Sequence, residues 1–454
     1  MRVLIAFPDE RGGAARTVPR LSPNRLKASM RFIIATQHFA GLGFALRLQK
    51  EGHSVVVAHA GINDRRAAAS YNLVGNGLVE KMPLAEAIAS RGRWRDAYWL
   101  WDENHSVDAN ELLRREGYKV FGGGPYADRM EHDRDACLAF VDRYGLKPPP
   151  SFAFDDTAAA VGFIEEHADT AYVYKPDRGE SYETWVPQAL EPAEANLELR
   201  EHLRSLRNRS PFVLQELKSG IETNVEAWFV EGEPRFAFMQ IESKRKLTGD
   251  LGDLVGCAFD FCFEIPLASC AVRESVGRLF PAYREMRYTG FGDANFIAAR
   301  DGVWFLEKCE RFGYNAHPTL LWTLNRDPLG ETFASLIDGS FQPNFAPGFG
   351  ASCTLYMDHR QSGKVIQFPR SIARDLYLYD VYQCDELLLT AGYYDDVLIA
   401  TGFGYTIPTA WEAALTNARA VKFPGRSFRI DGGGTDFPSS PLRRYEALQA
   451  MGYL

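Results

Sequence analysis

Glu307, Arg311, Gly313, Asn315 and His317 fall within eleven residues of GVWFLEKCERFGYNAHP. A carboxylate with a guanidinium four residues on can seat a hard cation and an anionic substrate side by side. The same spacing also fits a surface ion pair in a loop. Four further residues upstream enlarge the set: Arg134, Lys175, Glu222 and Asn295. Nucleoside triphosphate chemistry needs such parts. Cations hold the phosphates, an acid takes ribose hydroxyls, and oxygen ligands hold Mg²⁺ between the β- and γ-phosphates.

Apart from Arg134 and Asn295, these residues sit where the sequence predicts the end of an element or a turn. Val303–Leu306 reads as a buried strand that delivers Glu307, and Gly290–Ala298 pairs with it. Lys175 ends the strand Ala171–Lys175, within a compact α+β stretch made of strand Ser151–Phe154, helix Thr157–Glu166 and strand Phe212–Gln215. A charged helix spans Pro192–Asn208. Arg134 lies on a helix predicted over Met130–Tyr144. Strands Asn224–Gly232 and Pro234–Glu242 form a hairpin, Ser243–Gly256 reads as a Lys/Asp/Gly-rich loop, and a helix is predicted near Arg273–Arg287. The last hundred residues read as strands near Cys353–Met357, Val397–Gly402 and Phe428–Ile430 with a helix over Thr409–Val421.

At the other end, RFIIAT, AGLGFALRLQKEG and HSVVVAH form a βαβ unit of an open parallel sheet beginning at Met30. The Gly41-Leu-Gly43 turn is placed to cradle a phosphate at a helix N-terminus. The second strand ends in Ala58-His59-Ala60-Gly61, without the acid that would take a ribose, which argues against a nicotinamide site. Strand Ala97–Trp101 ends in Asp102-Glu103-Asn104-His105, where a doubly wound sheet gathers its ligands. Residues 1–29 carry a strand-like MRVLIAF and then a polar segment without periodicity.

At 454 residues the chain is long enough for two to four domains, and its net charge of −8 argues against a general nucleic-acid binder. Seven cysteines without a CxxC pair read as reduced thiols, not as a zinc site or a disulfide framework. No apolar run reaches membrane-spanning length and no signal peptide is evident, so a cytoplasmic protein is expected.

The order of these segments resembles the ATP-grasp ligases, and within them the phosphoribosylamine–glycine ligases, over about Met30 to Asp431. Gly124-Pro125 followed by Met130-Glu-His-Asp-Arg134 resembles a phosphate-binding segment, with Arg134 in the place of a lysine. Val173-Tyr-Lys175 resembles the second phosphate lysine. Val213-Leu-Gln-Glu-Leu-Lys-Ser-Gly-Ile-Glu222 resembles the adenine hinge: Gln215, Glu216, Leu217 and Lys218 would read the base and Glu222 would take the ribose. Ser243-Lys244-Arg245-Lys resembles the substrate loop, and Phe305-Leu-Glu307 to Gly313 the metal and amino-acid segment.

The resemblance implies an α/β and α+β multidomain protein with the ATP-grasp fold, a doubly wound parallel sheet first and an α+β unit last. The divisions it implies are an extension over 1–29, an α/β domain over 30–124, an ATP-grasp domain over 125–345 with a lid near 151–220, and a terminal domain over 346–454. It implies an ADP-forming carboxylate–amine ligase using ATP with Mg²⁺, or Mn²⁺ in its place. Lys175 and Arg311 would be catalytic. Glu307, Asn295 and Glu310 would hold the metal; Lys244, Arg245, Arg311, Gly313, Gly41, Gly43 and Glu103 would bind the substrates. Those substrates are a small amino acid such as glycine and an amine, with no nucleic-acid polymer or membrane partner, in a monomer or small homo-oligomer. Two alternatives are phosphoribosylamine–glycine ligase activity itself and a catalytically silent nucleotide-binding protein.

Three departures from the pattern bear on substrate. Asp177-Arg-Gly-Glu-Ser replaces a loop rich in glycine, alanine and lysine. Cys309 stands where an asparagine would ligate the metal, and a thiol suits Mg²⁺ poorly. Gln37-His-Phe-Ala-Gly-Leu-Gly43 replaces the signature Gly-Gly-Arg-Glu-His-Ala. The acceptor amine therefore need not carry a ribose phosphate.

Overall fold

The structure, a computed structural model, describes residues 29–176, 184–189, 191–206, 211–433 and 440–454. The strand expected over Met1–Phe7, the rest of the extension up to residue 28, and the loop Asp177-Arg-Gly-Glu-Ser lie outside the described residues.

Strands β1 (Arg31–Thr36), β2 (Ser54–His59), β3 (Glu80–Pro83), β4 (Tyr98–Trp101) and β5 (Lys119–Phe121) form a parallel sheet in the order β3-β2-β1-β4-β5. Its strands are apolar runs because both faces are buried: Ile33, Val56 and Trp99 pack on one side, Phe32, Val57 and Leu100 on the other. The order reverses between β1 and β4, so the sheet's ligand crevice opens beyond Thr36 and Trp101.

Strands β6 (Ser151–Phe154), β7 (Tyr172–Pro176) and β8 (Phe212–Glu216) form a small antiparallel sheet in the order β6-β8-β7. Tyr172, Phe212 and Leu214 pack against the helices Thr157–Glu166 and Pro192–Ser205. Strand alternation therefore turns Lys175 and Gln215 to the opposite face.

The third sheet is the largest. It is built from β9 (Ile221–Val230), β10 (Glu233–Leu247), β11 (Leu251–Glu264), β12 (Gly290–Ala299), β13 (Gly302–Glu307), β14 (Phe349–Met357) and three strands near the C-terminus. Those three are β15 (Leu376–Leu378), β18 (Asp396–Gly404) and β19 (Arg426–Ser427); β16 (Val381–Cys384) and β17 (Leu387–Thr390) form a separate hairpin between them. One face of its centre is apolar: Val225, Phe229, Ile241 and Phe296 are all buried in the main core. The other carries a band of polar side chains in register, with Asn224 opposite both Gln240 and Asn295, and Asn295 opposite Glu307.

Several expected elements differ. The helix predicted over Met130–Tyr144 is two helices, Pro125–His132 and Arg134–Asp142, because Asp133 leaves helical geometry and its side chain accepts from the Ala136 N–H as an N-cap. The loop predicted over Ser243–Gly256 is mostly strand: β10 and β11 extend into a long hairpin whose turn places Gly249 and Asp250 at positive φ. The helix predicted near Arg273–Arg287 is three short pieces, Cys270–Glu274, Val276–Leu279 and Phe280–Glu285. Where a strand was predicted over Phe428–Ile430, only Arg426–Ser427 pairs with β14. Arg429 is instead buried in ion pairs with Asp250 and Asp431. Among the described residues no helix is long and apolar enough to cross a membrane.

Candidate functional site

Lys244 Nζ lies 2.9 Å from Glu222 Oε1, 3.3 Å from Glu242 Oε1 and 3.9 Å from Glu307 Oε1. Three carboxylates from β9, β10 and β13 thus converge on one ammonium over the polar face of the large sheet. Burial works against charge on Lys244, but the carboxylates outweigh it and push its pKa up. Lys244 in turn holds the Glu222 carboxyl below its ordinary range, whereas burial pushes Glu242 up.

Lys175 faces this cluster from the small sheet. Its pKa is lowered to about 8, first by burial and next by the like charge of Arg134; Glu307 and Glu222 act in the opposite direction. The structure therefore brings together Arg134, Lys175, Glu222, Lys244 and Glu307 from five separate stretches of sequence. Lys244 and Arg245 are strand residues, not loop residues; Arg245 reaches across to the carbonyls of Gly252 and Val186, at 3.1 and 3.2 Å.

The segment joining the two sheets is tied down. Gln215 Nε2 donates to Ser151 Oγ at 3.1 Å. The N–H groups of Glu216 and Leu217 donate to the carbonyls of Pro150 and Ala171. Glu216 pairs with Lys218, whose ammonium sits 4.3 Å over the Trp304 ring.

The donor atoms present suit a hard cation. Asn295 stands opposite Glu307 in register, and its amide nitrogen donates to Asp293 Oδ2 at 3.1 Å, which leaves its carbonyl oxygen as the acceptor atom of the amide. The Lys244 ammonium, drawn up by three carboxylates, shows that this pocket favours positive charge. Among the described residues no three His, Cys, Asp or Glu side chains form a ready-made cage. Mg²⁺ is commonly held by one or two carboxylates plus substrate phosphates.

Glu310 is not part of this set. Its carboxylate is buried with the Lys308 ammonium and the hydroxyls of Tyr283 and Tyr126, in the interior beneath the strand ends. The expectation that it holds the metal is therefore corrected: a side chain locked to a buried lysine has no route to the cleft. Cys309 donates its N–H to Asp293 Oδ1 at 2.9 Å, and burial pushes its thiol pKa up.

Arg311 Nε donates to Glu131 Oε1 at 3.0 Å, and its guanidinium stacks 4.4 Å over the Tyr314 ring. The Gly313 N–H is taken by His317 Nδ1 at 2.7 Å. Tyr314 carries the network into the parallel sheet, donating to Glu103 Oε1 at 2.8 Å; Asn104 closes it by donating to Glu131.

Gly41 and Gly43 do not form an open phosphate cradle. The Gly41 N–H donates to Asp102 Oδ2, and the Tyr377 hydroxyl donates to the Ala40 carbonyl. A Cβ on Gly43 would lie 2.5 Å from the Tyr377 ring. The helix start that the sequence offers to a phosphate is filled by a tyrosine from the C-terminal part of the chain.

Two residues at the cluster have no counterpart in the sequence reading. Glu242 was merely the end of a hairpin strand. Arg444, on the C-terminal helix Pro441–Ala450, donates to the Glu242 carbonyl at 2.7 Å and Ser243 Oγ at 3.0 Å. Only the alternation of Gln240, Glu242 and Lys244 along one strand face could have pointed to the first. Nothing local to Arg444 pointed to the second.

A small antiparallel sheet and a large one, facing each other across a charged cluster and preceded by a parallel sheet, are the architecture of the ATP-grasp fold. No family model matches the chain. Among curated proteins it is similar to phosphoribosylamine–glycine ligase of Ralstonia nicotianae, with 23% identity over 340 residues, 71% of this chain and 79% of that protein. Among solved structures it is similar to phosphoribosylamine–glycine ligase of Thermotoga maritima, with TM-score 0.66 and 18% identity, covering 88% of this chain and all of that one. It is also similar to biotin carboxylase of Campylobacter jejuni, solved as a β,γ-ATP complex, with TM-score 0.62 and 12% identity over 91% of this chain and 98% of that one.

Proposed function

We propose that the protein is an ATP-dependent, ADP-forming carboxylate–amine ligase that works through an acyl phosphate. The observation that carries this reading is the convergence of Lys175, Arg134, Glu222, Lys244 and Glu307 between the two ATP-grasp sheets. The base would lie against residues 215–218 and the ribose hydroxyls at Glu222. Lys175 and Arg134 would offset charge on the transferring phosphoryl group. Glu307 and Asn295 would hold Mg²⁺, which supplies charge neutralisation at the phosphates when bound. On this reading Lys244 leaves Glu307 and stays with Glu222 and Glu242.

Arg311 would hold the carboxylate of a small amino acid through its guanidinium edge, with Glu131 fixing the side chain. Glycine with phosphoribosylamine is the first substrate pair to test, because the Ralstonia nicotianae relative bears that name. The closed Gly41–Gly43 turn favours a different acceptor. The deciding experiment is ADP release from the purified chain over a matrix of amino acids and amines with Mg²⁺. Release that requires both substrates supports the reading; none over the whole matrix favours a silent nucleotide-binding protein.

Two predictions arise here. Phosphate oxygens would restore the proton that burial and Arg134 loosen on Lys175, so ATP binding takes up a proton above pH 8. Affinity should fall as pH rises past about 8. Calorimetry in buffers of different ionisation enthalpy reads that uptake, and Lys175→Arg should abolish it. For the metal, Cys309→Asn adds a hard oxygen beside Glu307 and should retain or raise Mg²⁺-dependent activity. Complete loss would give Cys309 another role.

A further inference from the structure

Many basic side chains of this acidic chain face a carboxylate, as in Arg31–Asp96, Arg91–Glu116 and Arg284–Glu233. Three near the C-terminus form no ion pair among the described residues, and they line the same cleft. It has a volume of about 740 Å³ and is lined chiefly by Lys364, Val365, Lys422, Phe423, Pro424 and Arg426, with no acid among its lining residues. We infer that this cleft binds a small phosphate ester with an apolar body. No lining residue belongs to the cluster around Lys244, so such binding does not depend on the ligase reading.

Both walls of the cleft are fixed by their backbones. Gln367 and Lys422 form an antiparallel bridge, exchanging N–H···O bonds of 2.9 and 2.8 Å. On its other edge the 363–367 segment is held by the β16–β17 hairpin. The Gly363 N–H donates to the Thr390 carbonyl at 2.8 Å and the Ile366 N–H to the Leu388 carbonyl at 2.9 Å, while the Lys364 carbonyl accepts from the Thr390 N–H at 3.0 Å. The Gly425 carbonyl accepts from the Asp358 N–H at 3.0 Å, just before Arg426 pairs with Met357 on β14. The three cations therefore stand on a preorganised frame, which lowers the ordering cost of binding.

Arg426 is the most constrained of them. Its Nη1 donates to the Ala418 and Arg419 carbonyls at 3.3 Å each, at the end of helix Ile407–Ala420, and its guanidinium lies 4.9 Å over the Phe428 ring. Capping the helix occupies that nitrogen alone; Nε and Nη2 make no hydrogen bond among the described residues. Burial pushes the Arg426 pKa down, and no acid offsets it. The Lys364 and Lys422 ammonium groups likewise have no side-chain partner among the described residues; Lys364 is half-buried and Lys422 exposed. A chain of net charge −8 thus gathers three positive charges at one cleft, where they repel one another unless an anion supplies the opposite sign.

A phosphate ester matches this set. It carries a charge of about −1.5 to −2 and three strong acceptor oxygens. Those oxygens can meet the remaining edge of one guanidinium fork and two ammonium point charges. A single carboxylate would leave positive charge in excess. Val365, Phe423 and Pro424 add an apolar wall, and the volume lies within the range of small-molecule sites, so the cleft takes a body as well as a phosphate.

Calorimetry on the full chain with phenyl phosphate and with inorganic phosphate tests the cleft without turnover. Phenyl phosphate should bind, and more tightly than inorganic phosphate. Lys364→Gln with Lys422→Gln should weaken it about a hundredfold, or about tenfold for each charge-assisted contact removed. If that double variant misfolds, Lys422→Gln alone changes only an exposed side chain and should still weaken binding about tenfold. Lys175→Met, which alters the nucleotide site, should leave this binding at the parental level. No binding of phenyl phosphate by the parent, equal affinity for the two probes, or parental affinity in both lysine variants overturns the inference. Binding lost in Lys175→Met and kept in the lysine variants overturns it too, since the phosphate would then lie in the nucleotide site.

Discussion

Lys175→Met should lower kcat by about 10²–10³, the usual effect of removing one preorganised charge from a transferring group. The substitution keeps the length of the side chain and its packing on β7 between Val173 and Pro176. It removes the one ammonium that the small sheet turns toward Glu307 and Glu222. Because the folded protein already pushes this group down to about 8, deleting its charge removes a buried cation and not a stabilising partner. Stability should therefore hold or rise slightly while turnover collapses. The measurement is single-turnover ADP formation alongside a urea titration. Activity within a few-fold of the parent would remove Lys175 from the phosphate site, and with it the main support for the ligase reading.

Where the local pattern was enough, the sequence led to the right elements. RFIIAT and SVVVAH are unbroken apolar runs because their sheet is covered on both faces, and they pair in parallel as the βαβ pattern predicts. The pairing of Asn295 with Glu307 followed from two adjacent strands joined by a tight turn. The failures have a common cause, which is contact between distant segments. Lys244-Arg-Lys-Leu-Thr-Gly-Asp reads as a loop because its polar side chains have no partners in sequence, yet Glu222, Glu307 and Asp395 supply them from elsewhere in the chain. The Gly41–Gly43 turn reads as a phosphate cradle until Tyr377 enters it from more than three hundred residues away. Arg444 reaches the acidic cluster from the C-terminal helix, which no spacing could have announced. Glu310 failed differently: the spacing Glu307-x-x-Glu310 gives residue types but not the direction of each side chain after the strand ends.

Glu310 therefore yields the second large effect, on stability and not on metal. Lys308 is 1% exposed, and its ammonium contacts the Tyr283 hydroxyl at 2.7 Å and the Asp293 carbonyl at 2.8 Å as well as Glu310. Glu310 is equally buried, with Tyr283 and Tyr126 as its other partners. Lys308→Met leaves a carboxylate in the core with only two phenols, and breaking such a pair costs about 3–5 kcal/mol. The removed charge also faces Asp293, whose carboxyl burial already pushes to about 7 against the pull of Lys308. Without Lys308 both acids should bind protons more readily, so the loss in stability should be greatest at alkaline pH, where they must ionise, and shrink as pH falls. Lys308→Met with Glu310→Gln should recover most of the loss, since the amide keeps a hydrogen-bonding partner for Tyr283 without a charge to bury. Urea titrations of the parent, of Lys308→Met and Glu310→Gln alone, and of the double variant at two pH values measure the effect. Mg²⁺ affinity of the double variant separates the two roles that Glu310 could have. A core ion pair predicts parental Mg²⁺ affinity in a protein of near-parental stability. A metal ligand predicts normal stability on losing Glu310 alone with Mg²⁺ affinity lost, and that result would return Glu310 to the cleft.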